Sequence, residues 1–315
     1  MNIYPLEVEK LSKVFAIKKL FKKTEYFTAV DDISFTLKEG EILGFLGPNG
    51  AGKTTTIQML LDLLLPTSGS IKYFGQELRN NKTVKQKIAY ASGYMKLPSS
   101  LTVRQALFMY GYLYDMKRTY LKNKIDKYLP VFNLEHLADH SVTTLSAGQT
   151  TAVLLARAFL VNPSIILLDE PTAALDPQAA YNIRNFIRNQ NEKHGVSILF
   201  TSHNMDEVTE LCDRIVALKD GKIVADNTPE FLASSVSSAK VQLMVGDGLK
   251  RTIAFAEEQK LAYNVKARHI EIELDERKIA AFLEGLASLG VYYTQISIEK
   301  PTLEDFFLSL TREVK

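Results

Sequence analysis

The sequence predicts an α/β fold with a mostly parallel sheet for residues 1–230. Short apolar segments such as Glu41–Leu46 and Ser164–Leu168 alternate with longer helical patterns, and that alternation is typical of a parallel sheet covered by helices. The first segment runs directly into Gly47–Thr54, with the sequence GPNGAGKT. This octapeptide matches the phosphate-binding loop G-x-x-x-x-G-K-[ST] and stands between a predicted strand and a predicted helix. The fold class is therefore that of a P-loop NTPase.

The phosphate-binding loop assigns the first site residues. Glycines let the backbone turn tightly, so that successive N–H groups point at phosphate oxygens. Lys53 supplies a positive charge for the β- and γ-phosphates, and Thr54 supplies a hydroxyl for Mg²⁺. The following helix, predicted over Thr55–Leu65, has an N-terminus that favours an anion. The predicted nucleotide-binding residues are Gly47, Asn49, Gly50, Gly52, Lys53, Thr54 and Thr55, with ATP and Mg²⁺ as cofactors.

Segments on either side of the loop complete the first domain. Ile3–Phe15 and Phe27–Leu37 form a strand-rich N-terminal part. The basic run Lys18–Lys23 between them is interpreted as a solvated hairpin tip, with contact to acidic lipid headgroups as the alternative. Residues of about 95–150 are rich in helix formers and predict a helical subdomain inserted before the sheet resumes. A closing strand and turn follow over Gly221–Pro229.

The last quarter of the chain reads as a second domain. The small and polar segment Ala233–Ser238 predicts a linker. Residues 239–315 then show two alternating strand patterns, a helical pattern over Glu276–Leu289 and a third strand over Val291–Ile298. A final helix is predicted to open at Thr302 with a capping box. We therefore predict a small C-terminal α+β domain over 239–315.

Composition limits the classes of protein. The 315 residues carry a formal net charge of +2, which argues against a nucleic-acid partner. A single cysteine, Cys212, indicates a reducing, cytosolic environment. The N-terminal residues lack a signal-peptide pattern. The richest apolar run, Ala152–Val161, is interrupted by Arg157 and is too short to span a bilayer.

Acidic and imidazole side chains follow two further buried strands. Asp169 and Glu170 come directly after Ser164–Leu168, and His203 follows Ser197–Thr201. Ligands of open α/β sheets bind beyond the carboxyl ends of the strands. We expect Asp169 to hold Mg²⁺, directly or through water. Glu170 is expected to polarise the attacking water as general base, and His203 to contact the γ-phosphate.

A second helix start has anion-binding character. Ser146 and Gln149 have the S-x-x-Q form of a capping box ahead of a helical pattern over Thr150–Leu160. A free hydroxyl and a glycine at a helix N-terminus can bind an anion. By itself, the motif is better explained as an ordinary helix cap.

Together these segments resemble the ATP-binding subunits of ABC transporters. GPNGAGKTT matches the family's Walker A motif, LSAGQ its LSGGQ signature, IILLDEP its Walker B motif and Thr201-Ser202-His203 its switch histidine, in the family's own order over about residues 1–230. The resemblance implies a β-rich N-terminal subdomain and two subunits paired head to tail. Each ATP would lie between Walker A of one subunit and Ser146–Gly148 of the other. It also implies nucleotide-binding roles for Ser146, Gly148, Gln149 and the D-loop residue Asp176.

The resemblance also implies an aromatic platform for adenine, and it brings two departures into view. Phe15 fits the platform best, with Tyr26 as the alternative. Ala147 replaces a glycine of the signature, which is mild if its φ is negative. Gly93 stands where the family has a glutamine that contacts Mg²⁺ and water. We expect binding to survive this change, because water can complete the Mg²⁺ shell, whereas the hydrolysis rate should suffer.

The sequence thus predicts an ATP-hydrolysing subunit, a homodimer that drives a separate integral membrane permease from the cytoplasmic face of the membrane. Its length, LSAGQ signature and C-terminal domain resemble those of drug- and antibiotic-exporter ATPases. The alternatives are a soluble ABC ATPase of translation or DNA maintenance, and an ATP-binding regulator that hydrolyses poorly.

Overall fold

The computed structural model of the protein describes residues 3–17, 24–79, 81–93, 95–236 and 238–312. Lys18–Lys23 lies outside these residues, so both interpretations of that basic run stay predictions. The chain forms two compact units, one extending to Pro229 and the other beginning at Glu230.

The first unit contains ten strands and seven α-helices within its described residues. The strands are β1 (Leu6–Ile17), β2 (Glu25–Leu37), β3 (Ile42–Leu46), β4 (Ser68–Tyr73), β5 (Gln76–Glu77), β6 (Ile88–Ser92), β7 (Ile165–Asp169), β8 (Ser197–Thr201), β9 (Arg214–Lys219) and β10 (Lys222–Asn227). The helices are α1 (Lys53–Leu60), α2 (Lys82–Lys85), α3 (Val103–Leu113), α4 (Arg118–Val131), α5 (Ala147–Leu160), α6 (Pro177–His194) and α7 (Met205–Leu211).

Two sheets position the site. The larger has the order β10-β9-β3-β8-β7-β6, and its pairs are parallel except for β10 with β9. The smaller is antiparallel, with the order β2-β1-β4-β5. The two share one buried core, in which the rings of Phe35 and Phe45 lie 5.2 Å apart. The predicted α/β fold is confirmed, and the carboxyl ends of β3, β6, β7 and β8 meet at one sheet edge.

Helix boundaries agree with the sequence at some ends and differ at others. α5 begins with the predicted capping box, since the Ser146 hydroxyl accepts from the Gln149 N–H and the Gln149 side chain accepts from the Ser146 N–H. The helix after the phosphate-binding loop ends at Leu60, short of the predicted Leu65. The chain turns there, and Asp62 adopts a left-handed φ of 57°.

The second unit is a separate α+β body. Its elements are β11 (Ser238–Asp247), α9 (Leu249–Glu258), β12 (Ala262–Lys266), β13 (His269–Asp275), α10 (Ile279–Ser288), β14 (Tyr292–Glu299) and α11 (Leu303–Arg312), preceded by α8 (Pro229–Ser234). The sheet order is β12-β13-β11-β14, all antiparallel. Thr302 caps α11 as expected, because its hydroxyl accepts from the Asp305 N–H and the Asp305 carboxylate accepts from the Thr302 N–H.

The predicted linker Ala233–Ser238 is partly regular structure. Ala233 and Ser234 end α8, and Ser238 begins β11. Pro229 and Glu230 in the first turn of α8 favour a helix. The first N–H of a helix has no acceptor within the helix, so proline costs no hydrogen bond there. The negative charge of the glutamate interacts favourably with the helix dipole. Among the described residues, none of the helices has the length and apolar character needed to cross a membrane.

Candidate functional site

The loop between β3 and α1 depends on glycines packed against other backbone. At Gly52 the φ angle is 101°, and a Cβ placed there would lie 2.5 Å from the carbonyl oxygen of Ala29. At Gly47 a Cβ would lie 2.3 Å from the carbonyl oxygen of Leu218. Both distances are shorter than any real Cβ contact. The loop therefore follows a path that only glycine permits at these two positions.

Lys53 holds a positive charge within the loop. Its Nζ donates to the carbonyl oxygens of Gly47 and Pro48, at 2.5 and 3.2 Å. Burial lowers the pKa of Lys53, while the nearby carboxylates of Glu170 and Asp169 act to raise it. The ammonium thus lies against two carbonyl oxygens of the loop and near two acids, where an anion would be attracted to it.

A cleft of about 460 Å³ joins the loop to the acidic edge of the sheet. Its lining consists of Phe27, Ala29, Asn49, Gly50, Ala51, Gly52, Lys53, Thr54, Thr55, Asp169, Glu170 and His203. The cleft therefore brings together the phosphate-binding residues, both acids and the histidine that the sequence assigned to one site. Gly47 lies outside this lining, at the start of the loop, where its carbonyl oxygen binds Lys53.

Asp169 is oriented by hydroxyl groups of the neighbouring strands. Its Oδ1 accepts from Thr201 Oγ1 at 2.7 Å, and its Oδ2 accepts weakly from the Tyr90 hydroxyl at 3.4 Å. The pairing of β7 with β8 places Asp169 beside Thr201, and the pairing of β6 with β7 places it beside Ser92. A carboxylate has about four acceptor positions, so Asp169 keeps capacity for a further ligand.

Glu170 and His203 contact each other at the cleft. Oε1 of Glu170 lies 3.4 Å from Nε2 of His203, and its Oε2 accepts from the His203 backbone N–H at 3.3 Å. Burial raises the pKa of Glu170, and the adjacent His203 partly offsets the rise. Glu170 also has a left-handed φ of 54°, held by bonds from its N–H to the carbonyl and hydroxyl oxygens of Thr201. Perturbed carboxylates in clefts of this kind are candidate general bases.

Comparison with known proteins identifies the family. The profile described as ABC transporter matches residues 30–173. The chain is 30% identical to the linearmycin resistance ATP-binding protein LnrL of Bacillus subtilis over 303 residues, covering 94% of this chain and 96% of the relative. The chain belongs to the ABC transporter ATP-binding proteins. It is accordingly an ATPase subunit, as the resemblance of its motifs implied.

Other relatives and solved structures agree with this assignment. The Nod factor export ATP-binding protein I of Rhizobium meliloti is 33% identical, over 91% of this chain and 84% of its own length. An ATP-binding subunit of an ABC transporter superposes with a TM-score of 0.65 at 27% identity, covering 73% of this chain and 92% of that one. A dimeric cassette in a post-hydrolysis state, bound to ADP and Pi, superposes with a TM-score of 0.64 at 25% identity, covering 71% and 98%.

The signature of this ABC ATPase lies apart from its phosphate-binding cleft. The described residues that line the cleft include neither Ser146, Gly148 and Gln149 nor Asp176. Within one chain these residues shape two helix starts. The Gln149 side chain is engaged in the cap of α5, and Asp176 caps α6 by accepting from the Ala179 N–H at 3.0 Å. A Cβ at Gly148 would lie 2.9 Å from the carbonyl oxygen of Ala174. The signature therefore packs closely against the D-loop.

The aromatic residue at the cleft is one that the sequence analysis missed. Phe27 lines the cleft and is 52% exposed. Phe15 is its cross-strand partner and therefore lies on the same face of the sheet. Tyr26, which is 74% exposed, precedes Phe27 and so projects from the opposite face. Of the two aromatic residues predicted from the sequence, this arrangement favours Phe15.

Gly93 lies where a metal-contacting glutamine was expected. It follows β6 directly, and a Cβ placed on it would lie 3.8 Å from the carbonyl oxygen of Glu170 and 3.9 Å from Thr151 Oγ1. Position 93 is thus adjacent to the backbone of Glu170, and it has room for a Cβ. Thr201 was also missed, although it bonds to both Asp169 and Glu170; its place at the end of β8, beside β7, was the available signal.

Proposed function

We propose that this chain hydrolyses ATP, with Glu170 as general base, and that hydrolysis powers a separate membrane-spanning exporter. The observation that carries the proposal is the convergence of Lys53, Asp169, Glu170 and His203 on one cleft at the carboxyl edge of the sheet. Lys53 binds the β- and γ-phosphates, Glu170 accepts a proton from the attacking water, and His203 contacts the γ-phosphate.

The oxygen donors of the cleft fit Mg²⁺. Thr54 and Asp169 both line it, and hydroxyl and carboxylate oxygens are the ligands that this hard cation prefers. Bound Mg²⁺ would neutralise charge that develops on the phosphates. The chain's own part is to orient Asp169 through Thr201 and to hold Glu170 beside His203.

Head-to-tail dimerisation explains why two anion-binding helix starts occur in one chain. The start of α1 belongs to the phosphate-binding cleft, whereas the exposed Ser146 at the start of α5 does not. In the proposed homodimer, Ser146 and Gly148 of one subunit approach the ATP bound by Lys53 of the other, and Asp176 lies at the same interface. Phe27 or its partner Phe15 supplies the adenine platform. The dimeric state of one structural neighbour, the cassette bound to ADP and Pi, supports this arrangement.

The membrane partner is proposed from the relatives. Two of them are named for linearmycin resistance and for Nod factor export. We infer that this chain sits on the cytoplasmic face of a membrane, bound to an integral permease that exports its substrate. A second function, that of a regulator that binds ATP and hydrolyses it slowly, is favoured by Gly93 beside the general base.

The test is Glu170→Gln, which keeps shape and hydrogen bonding but removes the base. The variant should lose hydrolysis and should elute from gel filtration as a dimer with ATP and Mg²⁺ and as a monomer with ADP. The matched control is the double variant Lys53→Ala/Glu170→Gln. Loss of Lys53 should abolish the ATP-dependent dimer.

Two outcomes would contradict the proposal. Near-normal turnover in Glu170→Gln removes Glu170 as the base. A variant that stays monomeric at every ATP concentration removes the dimer. The partner is tested separately by affinity purification of the tagged chain from detergent-solubilised membranes of its native cell, followed by mass spectrometry. Recovery of ribosomal proteins in place of an integral membrane protein would refute the transport role.

A further inference from the structure

Glu207 has a buried carboxylate that accepts three side-chain hydrogen bonds. It lies in the first turn of α7 and is 5% exposed. Its Oε2 accepts from Thr172 Oγ1 at 2.5 Å and from Ser202 Oγ at 3.1 Å, and its Oε1 accepts from Arg184 Nη1 at 3.1 Å. Thr172 and Ser202 are buried as well. Charge-assisted bonds of this kind are stronger than neutral ones, above all away from water.

Two partners of Glu207 come from the loops that carry Glu170 and His203. Thr172 is two residues beyond Glu170, and Ser202 directly precedes His203. The third partner, Arg184, belongs to α6 and binds Glu210 as well, at 2.8 Å. One buried carboxylate therefore ties both catalytic loops to each other and to the helices behind them.

The contacts between Glu170 and His203 depend on the spacing of these loops. They measure 3.4 and 3.3 Å, close to the upper limit of hydrogen-bond length. Glu170 also holds a left-handed backbone conformation that non-glycine residues adopt only when their surroundings impose it. A small displacement of either loop would separate the carboxylate from the histidine. The bonds from Glu170 to Thr201 hold its backbone, and the Glu207 contacts hold the segments that follow.

We propose that Glu207 is a positioning residue for ATP hydrolysis, whose carboxylate fixes Glu170 relative to His203 by binding Thr172 and Ser202 together. The inference rests on the roles proposed above for Glu170 and His203. In this role, Glu207 contacts neither the nucleotide nor the attacking water. It acts on the rate through the geometry of the base, while Lys53 and the phosphate-binding loop, which bind the nucleotide, belong to other elements.

The experiment compares full-length Glu207→Ala and Glu207→Gln with the matched control Glu210→Gln. Glu210 shares Arg184 with Glu207 but contacts neither catalytic loop among the described side chains. Glu207→Ala should lower kcat about tenfold to a hundredfold, since sub-ångström to ångström displacements of a catalytic group have effects of that order. The Kd for a fluorescent ATP analogue should change less than about twofold. The kcat of Glu207→Gln, which keeps one oxygen acceptor, should lie between the values of Glu207→Ala and the wild type. Glu210→Gln should keep the kcat of the wild type.

A comparison of kcat with ATP binding separates positioning from loss of folding. If Glu207 positions Glu170, kcat falls in Glu207→Ala while the Kd and the fraction of protein that binds the ATP analogue stay the same. A variant that only unfolds in part loses binding amplitude in proportion to kcat.

Two hydroxyl variants keep the proposal falsifiable if Glu207→Ala does not fold, and a double-mutant cycle adds to them if it does. Thr172→Val and Ser202→Ala each remove one hydroxyl and little volume, and each should lower kcat with Kd preserved. In a folded Glu207→Ala background, Thr172→Val should have no further effect. Wild-type kcat in these variants, an equal loss in Glu210→Gln, or effects of Thr172→Val and Glu207→Ala that simply add would overturn the proposal. If Glu170→Gln loses ATP hydrolysis and the Glu207 variants keep the kcat of the wild type, only the inference about Glu207 is refuted. If Glu170→Gln still hydrolyses ATP at the rate of the wild type, the proposed role of Glu170 as base is refuted.

Discussion

Replacing Gly93 with glutamine should raise the ATPase rate of this protein. The ladder of β6 and β7 pairs Ser92 with Asp169, so position 93 stands next to Glu170, the proposed general base. The nearest atoms to a new Cβ would be 3.8 Å away, an ordinary van der Waals distance, and the φ of Gly93 lies outside the left-handed region. A Cβ can therefore be added without displacing the atoms around it, and we expect the glutamine amide to reach toward the water that Glu170 is proposed to polarise.

The size of the effect follows from what one positioning group contributes. Orientation of a reacting water is worth on the order of tenfold to a hundredfold in rate, which corresponds to about 1.4–2.7 kcal/mol of the barrier. Folding should not suffer, because a side chain at a position with permitted φ restricts the unfolded chain and stabilises the protein by about 0.4–1 kcal/mol.

The assay is phosphate release at saturating ATP and Mg²⁺, with Gly93→Ala as the matched control. Alanine brings the Cβ and its effect on the unfolded chain without the amide. The reasoning predicts a faster Gly93→Gln, an unchanged Gly93→Ala, and melting temperatures no lower than that of the wild type. Equal rates in Gly93→Gln and Gly93→Ala would refute the argument that position 93 reaches the reacting groups.

Three further predictions address other parts of the chain. Lys53→Ala should abolish ATP binding measured with a fluorescent analogue, because the phosphates lose the lysine that the loop encloses; unchanged affinity would remove Lys53 from the site. A chain ending at residue 235 should fold and bind ATP, since the first unit has its own core, and aggregation of the truncated chain would contradict this. Burial lowers the pKa of Lys124 from 10.5 to about 8, so the unfolded chain binds more protons between those values and the free energy of unfolding should rise with pH there. Between pH 7.5 and 10, the melting temperature should rise more steeply with pH for the wild type than for Lys124→Met. An equal dependence on pH in both proteins would contradict the lowered pKa of Lys124.

The parts of the site that the sequence predicted are those set by local pattern and sheet topology. The phosphate-binding loop, the apolar strands before Asp169 and before His203, and the capping box at Ser146 are each contiguous in sequence. Because parallel strands deliver their carboxyl ends to one edge, three separate segments could be assigned to a single cleft. The α/β fold and the family followed from the same segments.

The parts that escaped prediction depend on register and on long-range contacts. Phe27 lines the cleft and lies on β2, whose pairing with β1 shifts register between Val8 and Val14. No sequence pattern reveals such irregularities. Glu207 looks like a surface residue in the first turn of an ordinary helix, yet it is buried by contacts with Thr172 and Arg184, 35 and 23 residues away. Helix α9 and strand β12 were missed because their patterns are short and mixed.

The structure also explains why the departure at Ala147 is tolerated whereas Gly148 is required. Ala147 is the first residue of α5 and does not have a positive φ, so its methyl group needs no special backbone. At Gly148 the carbonyl oxygen of Ala174 would lie 2.9 Å from a Cβ. Any side chain at that position would push the segment around Ala174, and with it the helix start capped by Asp176, away from the signature. The Ser146 hydroxyl accepts from the Gln149 N–H, and its own proton can be donated to a phosphate in the proposed dimer. The signature of this chain therefore retains the two features on which a partner's nucleotide would depend, a hydroxyl donor and a close backbone approach.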